Sequence, residues 1–364
     1  MEKRGILFAG AYQGGGLPTE GAALLEYIAP FYTTVRHMGL EAIIAHDFFP
    51  ADFVETYTTD KIKFIKITID LPVSPYFKRY FALHALLQIY PDYTHWWLCD
   101  IKDVLVTKDP TALFSNTDRP LVVGEENATI ETNTWFTATF FKEPYYTLFS
   151  HIPLSIYPKT CGVFGGERSV VNDLLSEMIE LHANIEDIFG LDMLLFNYVI
   201  ATKLWDKTSA FSMQNYYDRP ITRPTLVART GDCPRWLSEQ REGDTGFCKH
   251  TYHPSTILVE FYERHMRETT KDIPGWAEVE EIMKARWLSW WNKGKQGVPR
   301  PYWVKTCRVC GKRESEVRVL VALCNEGSDS LHNCNECIEL MVELIRDIEP
   351  EFCCNLCCCE LKEN

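Results

Sequence analysis

Short apolar runs alternate with helix-patterned stretches through residues 5–124, and that alternation narrows the folds open to this chain more than any other feature. Gly5–Gly10 is apolar and is followed by a helical pattern from Glu20 to about Met38. Leu40–Asp47, Lys63–Ile69, His95–Cys99 and Leu121–Gly124 read as further strands. Between the third and fourth, Pro75–Ile89 carries Phe77, Phe81, Leu86 and Leu87 at helical spacing, which leaves Lys78 and Arg79 on a different face. A β-loop-α-β succession of this kind predicts an α/β layer fold with a Rossmann-like, nucleotide-binding first half. Gly14, Gly15 and Gly16 follow the first strand but match neither the dinucleotide fingerprint nor a phosphate-binding P-loop, so both of those folds are disfavoured. They read either as a flexible turn or as a loop over a phosphate.

The chain has 364 residues, 46% of them hydrophobic, enough for one large core and a small second module. Residues 1–25 lack a secretory pattern, and no apolar run approaches the ~20 residues that cross a bilayer, which predicts a cytoplasmic protein without a transmembrane segment. The net charge of −13 argues against a nucleic-acid partner. Fourteen cysteines would suggest disulfides, but only Cys99, Cys161, Cys233 and Cys248 precede residue 300. The other ten lie at or after Cys307, an asymmetry that points to metal binding in a reducing compartment.

Asp100-Ile101-Lys102-Asp103-Val104 sets two carboxylates three residues apart at the end of the apolar strand His95–Cys99. That strand end is where open α/β sheets bind ligands. A carboxylate pair there can hold Mg²⁺ or Mn²⁺, and such a metal neutralises the charge that develops on a diphosphate leaving group. The plainer alternative is a strand end with two solvated acids.

The run, continued by Asp109-Pro110 and Leu113-Phe114, resembles the metal-binding segment of GT-A-type nucleotide-sugar-dependent glycosyltransferases, in a D-x-x-D form of their Asp-x-Asp motif. The resemblance implies a GT-A-like mixed sheet flanked by helices, a nucleotide-sugar donor, and a glycan or glycoprotein acceptor. In that family an arginine on the helix before the metal strand often points at the donor, and Arg79 matches; an ordinary surface arginine is the alternative. Cys161–Gly166 looks like the family's small-residue turn, which implies that Gly165 and Gly166 let a sugar approach the backbone. Gly190–Asn197 is similar to a D-x-x-x-x-N helix start, whose carboxylate commonly faces the acceptor or the donor sugar; this makes Asp192 the candidate catalytic residue, a base if the chemistry inverts, with a plain helix cap as the alternative. The late metal histidine of the family corresponds to His250, with His253 as the alternate. Asp103 is expected to be the direct metal ligand and Asp100 to lie at the ribose or behind the metal. Retaining and inverting chemistry stay undecided.

Trp276, Trp287, Trp290 and Trp291 read as core packing, or as stacking platforms for sugars. Beyond a linker at 292–302, Cys307/Cys310 and Cys334/Cys337 form two C-x-x-C pairs, the spacing that builds a tetrahedral Zn²⁺ site. The surrounding text resembles the four-cysteine zinc domain of ClpX unfoldases, with Cys324 in a longer loop and outside the ligand set. It implies a small treble-clef-like module at 303–347, used for homodimerisation or for docking a protein partner. Cys353–Cys359 in the tail 348–364 are open to three readings: mobile thiols, a lipidation site or a second metal site.

The expectation is therefore a metal-dependent glycosyltransferase domain at 1–291, similar to cytosolic enzymes of bacteria and of large algal DNA viruses. If the source is viral, the place of action is the host-cell cytoplasm. The alternatives are a glycosyltransferase-like interaction protein that has lost turnover, and a metal-dependent phosphohydrolase.

Overall fold

The computed structural model describes residues 4–14, 18, 21–115, 117–126, 128–188, 190–212, 214–215, 227–229, 248–250, 266–292, 320–323 and 331–334. Beyond residue 211 the side chains described are those of 266–286. The chain divides into two units, residues 1–298 and 299–364, with the break inside the expected linker.

The first unit is built on strands β1 (Gly5–Ala11), β2 (Ala42–His46), β3 (Ile62–Lys66) and β4 (His95–Cys99), followed by β6 (Leu121–Glu125), β7 (Lys159–Glu167) and β8 (Thr208–Ser212). They form one seven-stranded sheet in the order β3-β2-β1-β4-β7-β6-β8. All run parallel except β7, which is antiparallel to both β4 and β6. The first strands lie where the apolar pattern puts them, and the seven-stranded mixed sheet flanked by helices is the α/β class it predicts.

All five residues of β4 are buried, as a central strand covered on both faces requires. Alternation divides its side chains. Trp96 and Leu98 join the core made with α3 (Pro75–Ile89), α6 (Arg168–His182) and α7 (Leu191–Val199). His95 and Trp97 turn to the other face and meet Phe114 of the short 3₁₀ turn Pro110–Ser115 at ring-centroid distances of 4.4 and 5.4 Å. On that second face, α1 (Gly21–Met38) and α2 (Ala51–Tyr57) gather around Phe64 through Tyr32 and Phe53.

Helix α3 starts with Ser74 as N-cap, whose Oγ accepts from the Phe77 amide at 3.3 Å, and with Pro75 in its first turn. It packs on α6, where His84 meets Ser176 at 3.1 Å and Gln88 donates to Asn172 at 2.8 Å.

The segment Cys161–Gly166, expected as a turn, lies inside β7. Its glycines are there for packing. A Cβ at Gly165 would sit 2.2 Å from Trp97 Cδ2, and one at Gly166 would sit 2.5 Å from the Pro120 carbonyl oxygen. Both positions are buried in mid-sheet, level with Trp97 and Trp96, so the space beside them is taken by the protein itself rather than left for a sugar.

After β4 the chain turns through Ile101–Asp103 into β5 (Val104–Val106), which leaves the main sheet and pairs antiparallel with β11 (Cys248–His250). Strands β10 (Val227–Arg229) and β9 (Gln214–Asn215) complete this smaller sheet. Thr34 of α1 anchors it, accepting from the Val106 amide at 3.0 Å. Helices α4 (Thr134–Phe140) and α5 (Tyr146–Phe149) belong to the connection from β6 to β7, and α8 (Arg267–Thr270) and α9 (Trp276–Asn292) pack on α1. Trp276 is buried, as core packing predicts; the side chains of Trp287, Trp290 and Trp291 lie outside the described residues.

In the second unit, β12 (Leu320–Leu323) and β13 (Leu331–Cys334) form an antiparallel hairpin that sets Cys334 opposite Leu320. Cys307, Cys310, Cys324, Cys337 and Cys353–Cys359 lie outside the described residues.

Candidate active site

The strand order 3-2-1-4 makes the crevice between the C-terminal ends of β1 and β4 a topological switch point, the place where open α/β sheets take ligands. The predicted acidic pair is at that place. Asp100 follows β4 on the face shared by Trp96 and Leu98, and its amide donates to the Gly162 carbonyl of β7 at 2.8 Å. A Cβ on Gly162 would lie 2.4 Å from Asp100 Oδ2, so glycine at this position is what admits the carboxylate. The glycine of the segment that borders the site is thus Gly162.

Arg79 reaches into the crevice from α3, and Gly10 of β1 makes room for it, since a Cβ there would lie 2.8 Å from Arg79 Cβ. The guanidinium does not point out toward a donor. Nη1 donates to Asp100 Oδ1, and Nη2 donates to Asp192 Oδ2 at 3.0 Å and to Tyr80 Oη at 2.9 Å. Its burial works against the charge, but Asp100, Tyr80 and Asp192 outweigh it and hold the pKa well above the ordinary arginine value.

Asp192 is the second residue of α7, behind a left-handed Gly190 (φ 85°) that occupies the N-cap position, so it does not cap its helix. Its Oδ2 accepts from Arg79, from Tyr80 Oη at 3.3 Å and from Cys161 Sγ at 3.5 Å. Only 8% of the residue is exposed. Burial raises the Tyr80 phenol and the Cys161 thiol well above their usual values, so both remain protonated donors at neutral pH. Asn197, the other fixed position of the D-x-x-x-x-N pattern, works as a backbone clamp. Its Oδ1 accepts from Lys159 N at 2.6 Å, and its Nδ2 donates to Lys159 O at 2.9 Å.

Asp103 sits in the turn itself. Tyr27 of α1 lies close enough that burial first, then Asp103 and Asp100, push its phenol up. Lys102 Nζ stands 5.7 Å from the same ring. The register of β5 with β11 sets His250 opposite Val104, the residue after Asp103. The backbone thereby brings the late histidine to the acidic turn across 146 intervening positions; its side chain and the whole of His253 lie outside the described residues. At the neighbouring strand ends, Asp47 accepts from the Gln13 amide at 2.8 Å and pairs with Lys78 Nζ at 3.5 Å.

Tyr80 and Tyr27 belong to this site without having been anticipated, whereas Cys161 and Gly162 come from the segment that was, in which Gly165 and Gly166 were expected to be the site residues. Tyr80 had a signal, because a phenol buried on a helix needs a hydrogen-bond partner. Among the described residues no helix is long and apolar enough to cross a membrane, and no group of three or more His, Cys, Asp or Glu side chains is gathered as a metal cage. Compared with known proteins, the chain matches no protein-family model and no curated protein at a significant level.

Proposed function

We propose that residues 1–298 transfer a sugar from a nucleotide-sugar donor to a glycan or glycoprotein acceptor, with Mn²⁺ or Mg²⁺ held at the Asp100–Asp103 turn. The single observation that carries this reading is the place of that turn. Two carboxylates, one braced by a buried arginine, stand at the switch point of a mixed α/β sheet, with His250 delivered beside them by strand register.

The residues suit such a metal. Carboxylate oxygens and an imidazole are ligands that Mn²⁺ and Mg²⁺ accept, and Gly162 keeps the space beside Asp100 clear of a side chain. Asp103 and His250 would hold the ion, and Asp100, already engaged by Arg79, would stand behind it or toward the ribose. When bound, the metal neutralises charge on the departing diphosphate.

The chain's own residues do the rest. Arg79 fixes Asp100 in one orientation. Asp192 holds Arg79 from the other side, and with Oδ2 occupied by three donors it is assigned here as a positioning residue rather than a base. Asp47 after β2 and its ion-pair partner Lys78 on α3 would meet the nucleoside.

The test is release of nucleoside diphosphate from a panel of UDP-, GDP- and TDP-sugars with Mn²⁺ present. One donor is expected to be hydrolysed slowly and to raise the melting temperature, and Asp103→Asn is expected to abolish both. If none of the donors binds or turns over, the reading is wrong. For the second unit the proposal is a structural zinc site on Cys307, Cys310, Cys334 and Cys337 that serves protein docking. Cys334→Ser should then lower bound zinc by about one atom per chain; unchanged zinc content would remove Cys334 from the ligand set.

A further inference from the structure

A groove of about 1080 Å³ lies along the outer strand β8, lined in part by Asp118, Arg119, Glu125, Tyr157, Lys159 and Trp205. Nothing in the reaction proposed above uses it. Its construction is specific in three ways.

Two aromatic rings stand open to it, Trp205 at 46% exposure and Tyr157 at 42%. The Trp205 main chain is fixed, because Arg119 Nη1 donates to the Trp205 carbonyl at 3.3 Å and to the Thr208 carbonyl at 2.6 Å. Lys159 is 3% exposed, and its Nζ lies 2.9 Å from Glu125 Oε2 and 5.5 Å from the centre of the Trp205 ring. A buried donor, a carboxylate acceptor and a flat aromatic face therefore meet at one end of the groove.

The charges decide what kind of ligand this suits. Asp118 and Glu125 balance Arg119 and Lys159, so the lining gives no net attraction to a phosphate or to an acidic chain. Exposed rings beside balanced polar groups fit a neutral ligand with one apolar face and a rim of hydroxyls. A pyranose ring has that form: its C–H face covers an aromatic ring while carboxylate and ammonium groups take its hydroxyls in pairs. The volume slightly exceeds the ~300–1,000 Å³ of pockets that enclose drug-sized ligands, so more than one ring can be held.

The groove's position links it to the acidic turn. Lys159 is two residues from Cys161, whose thiol contacts Asp192, and two extended residues span at most about 7 Å. Glu125 pairs with Lys159 in the strand register, at the same C-terminal edge of the sheet as Asp100. Asn197 fixes the Lys159 backbone from the helix that also carries Asp192.

We propose that this groove binds the sugar rings of an oligosaccharide and, resting on the transfer reading above, seats the acceptor. Its sugar-binding part is tested without donor or metal. The full chain, in EDTA, is titrated with methyl glycosides of glucose, galactose, mannose, fucose and N-acetylglucosamine and with trisaccharides of the same sugars, followed by saturation-transfer NMR and calorimetry. At least one trisaccharide is expected to bind saturably and more tightly than its monosaccharide.

Trp205→Ala and Tyr157→Ala should each weaken that binding by about five- to ten-fold, the scale of a lost aromatic contact. Trp135→Ala, which removes an equally exposed tryptophan outside the groove, should leave it unchanged. Because both groove rings are exposed, circular dichroism should show the variants folded; Glu125→Gln, which keeps the shape, gives a second weakening variant. Saturable binding that depends on Trp205 upholds the groove even if no nucleotide sugar is hydrolysed, and in that case only the transfer reading fails. Absence of saturable saccharide binding, or binding indifferent to Trp205, Tyr157 and Glu125 alike, overturns the proposal.

Discussion

Replacing Arg79 by methionine tests the physical core of the site without any assumption about substrate. In the native protein one guanidinium is bracketed by the Asp100 and Asp192 carboxylates, with side-chain exposures of 11%, 24% and 9%. Methionine fills much of the volume and removes the charge, leaving two carboxylates that one guanidinium had bridged; for a gap of about 5 Å and an effective dielectric of about 20 their repulsion would be about 3 kcal/mol. A second route limits the penalty. Protonating a carboxyl of ordinary pKa near 3.9 costs about 4 kcal/mol at pH 7, so the pair takes up a proton rather than suffer more than that. The expected loss is therefore about 3–4 kcal/mol at pH 7, in line with other buried pairs broken on one side.

The sign of the pH dependence follows from the same reasoning. In the variant the pair takes up a proton once protonation costs less than the repulsion of about 3 kcal/mol, below about pH 6, so the gap to the native protein is level near pH 7 and narrows by about 1.4 kcal/mol per unit from about pH 6 toward pH 4. Urea unfolding of both proteins at pH 7 and pH 5 reads this directly. Adding Asp192→Asn removes one of the two stranded charges and should recover about 2 kcal/mol, making the double variant more stable than Arg79→Met alone. A loss below 1 kcal/mol, a loss independent of pH, or simple additivity of the two substitutions would refute the bridged-charge account.

Asn197→Ala strips the partners from both backbone groups of buried Lys159 and should cost about 2–4 kcal/mol in urea unfolding; a loss under 0.5 kcal/mol would show that the clamp does not matter. His46, the last residue of β2, is buried, stacks on Phe49 at 4.6 Å and accepts from the Phe49 amide at 3.1 Å. Burial and then Lys66 lower its pKa to about 4, against an unfolded value near 6.5. Its contribution is fully present above pH 6.5 and is lost as pH falls toward 4, by about 1–2 kcal/mol once water screening of its neighbours is allowed for. His46→Asn, whose Oδ1 can take the place of Nδ1, should flatten that slope between pH 6.5 and 4.5; an unchanged slope would assign it to other groups.

The strands and helices that carry the site were legible because their side chains repeat at two and at 3.6 residues. The same alternation sets Asp100 on the face of Trp96 and Leu98. The glycines of β7 misled for a physical reason. Gly165 is small because Trp97 occupies the space above it, and that complementarity exists only once the register pairs Trp97 with Gly165. A run of small residues carries no mark distinguishing room for a ligand from room for a neighbour's indole. The destination of Arg79 was hidden in the same way, since Asp100 and Asp192 lie 21 and 113 positions away.

What brings those distant residues together is the direction of one strand. The chain returns from β3 across β1 to enter β4, so α3 has to lie over the switch-point crevice with its N-terminal half at the strand ends, where Lys78, Arg79 and Tyr80 are carried. Strand β7 then runs backwards, which starts α6 at the far edge and brings its end back to the crest. There His182 stacks on Phe77 at 4.0 Å, and Asp187 accepts from the Ser74 amide at the cap of α3. Helix α7 consequently begins at the crest, and Asp192, in its first turn, has nowhere to lie but against Arg79. Were β7 parallel to β4, α6 would end and α7 begin at the opposite edge, and the same Asp192 would face the other end of the sheet. The antiparallel strand is thus what makes a carboxylate at residue 192 part of a site founded on residue 100.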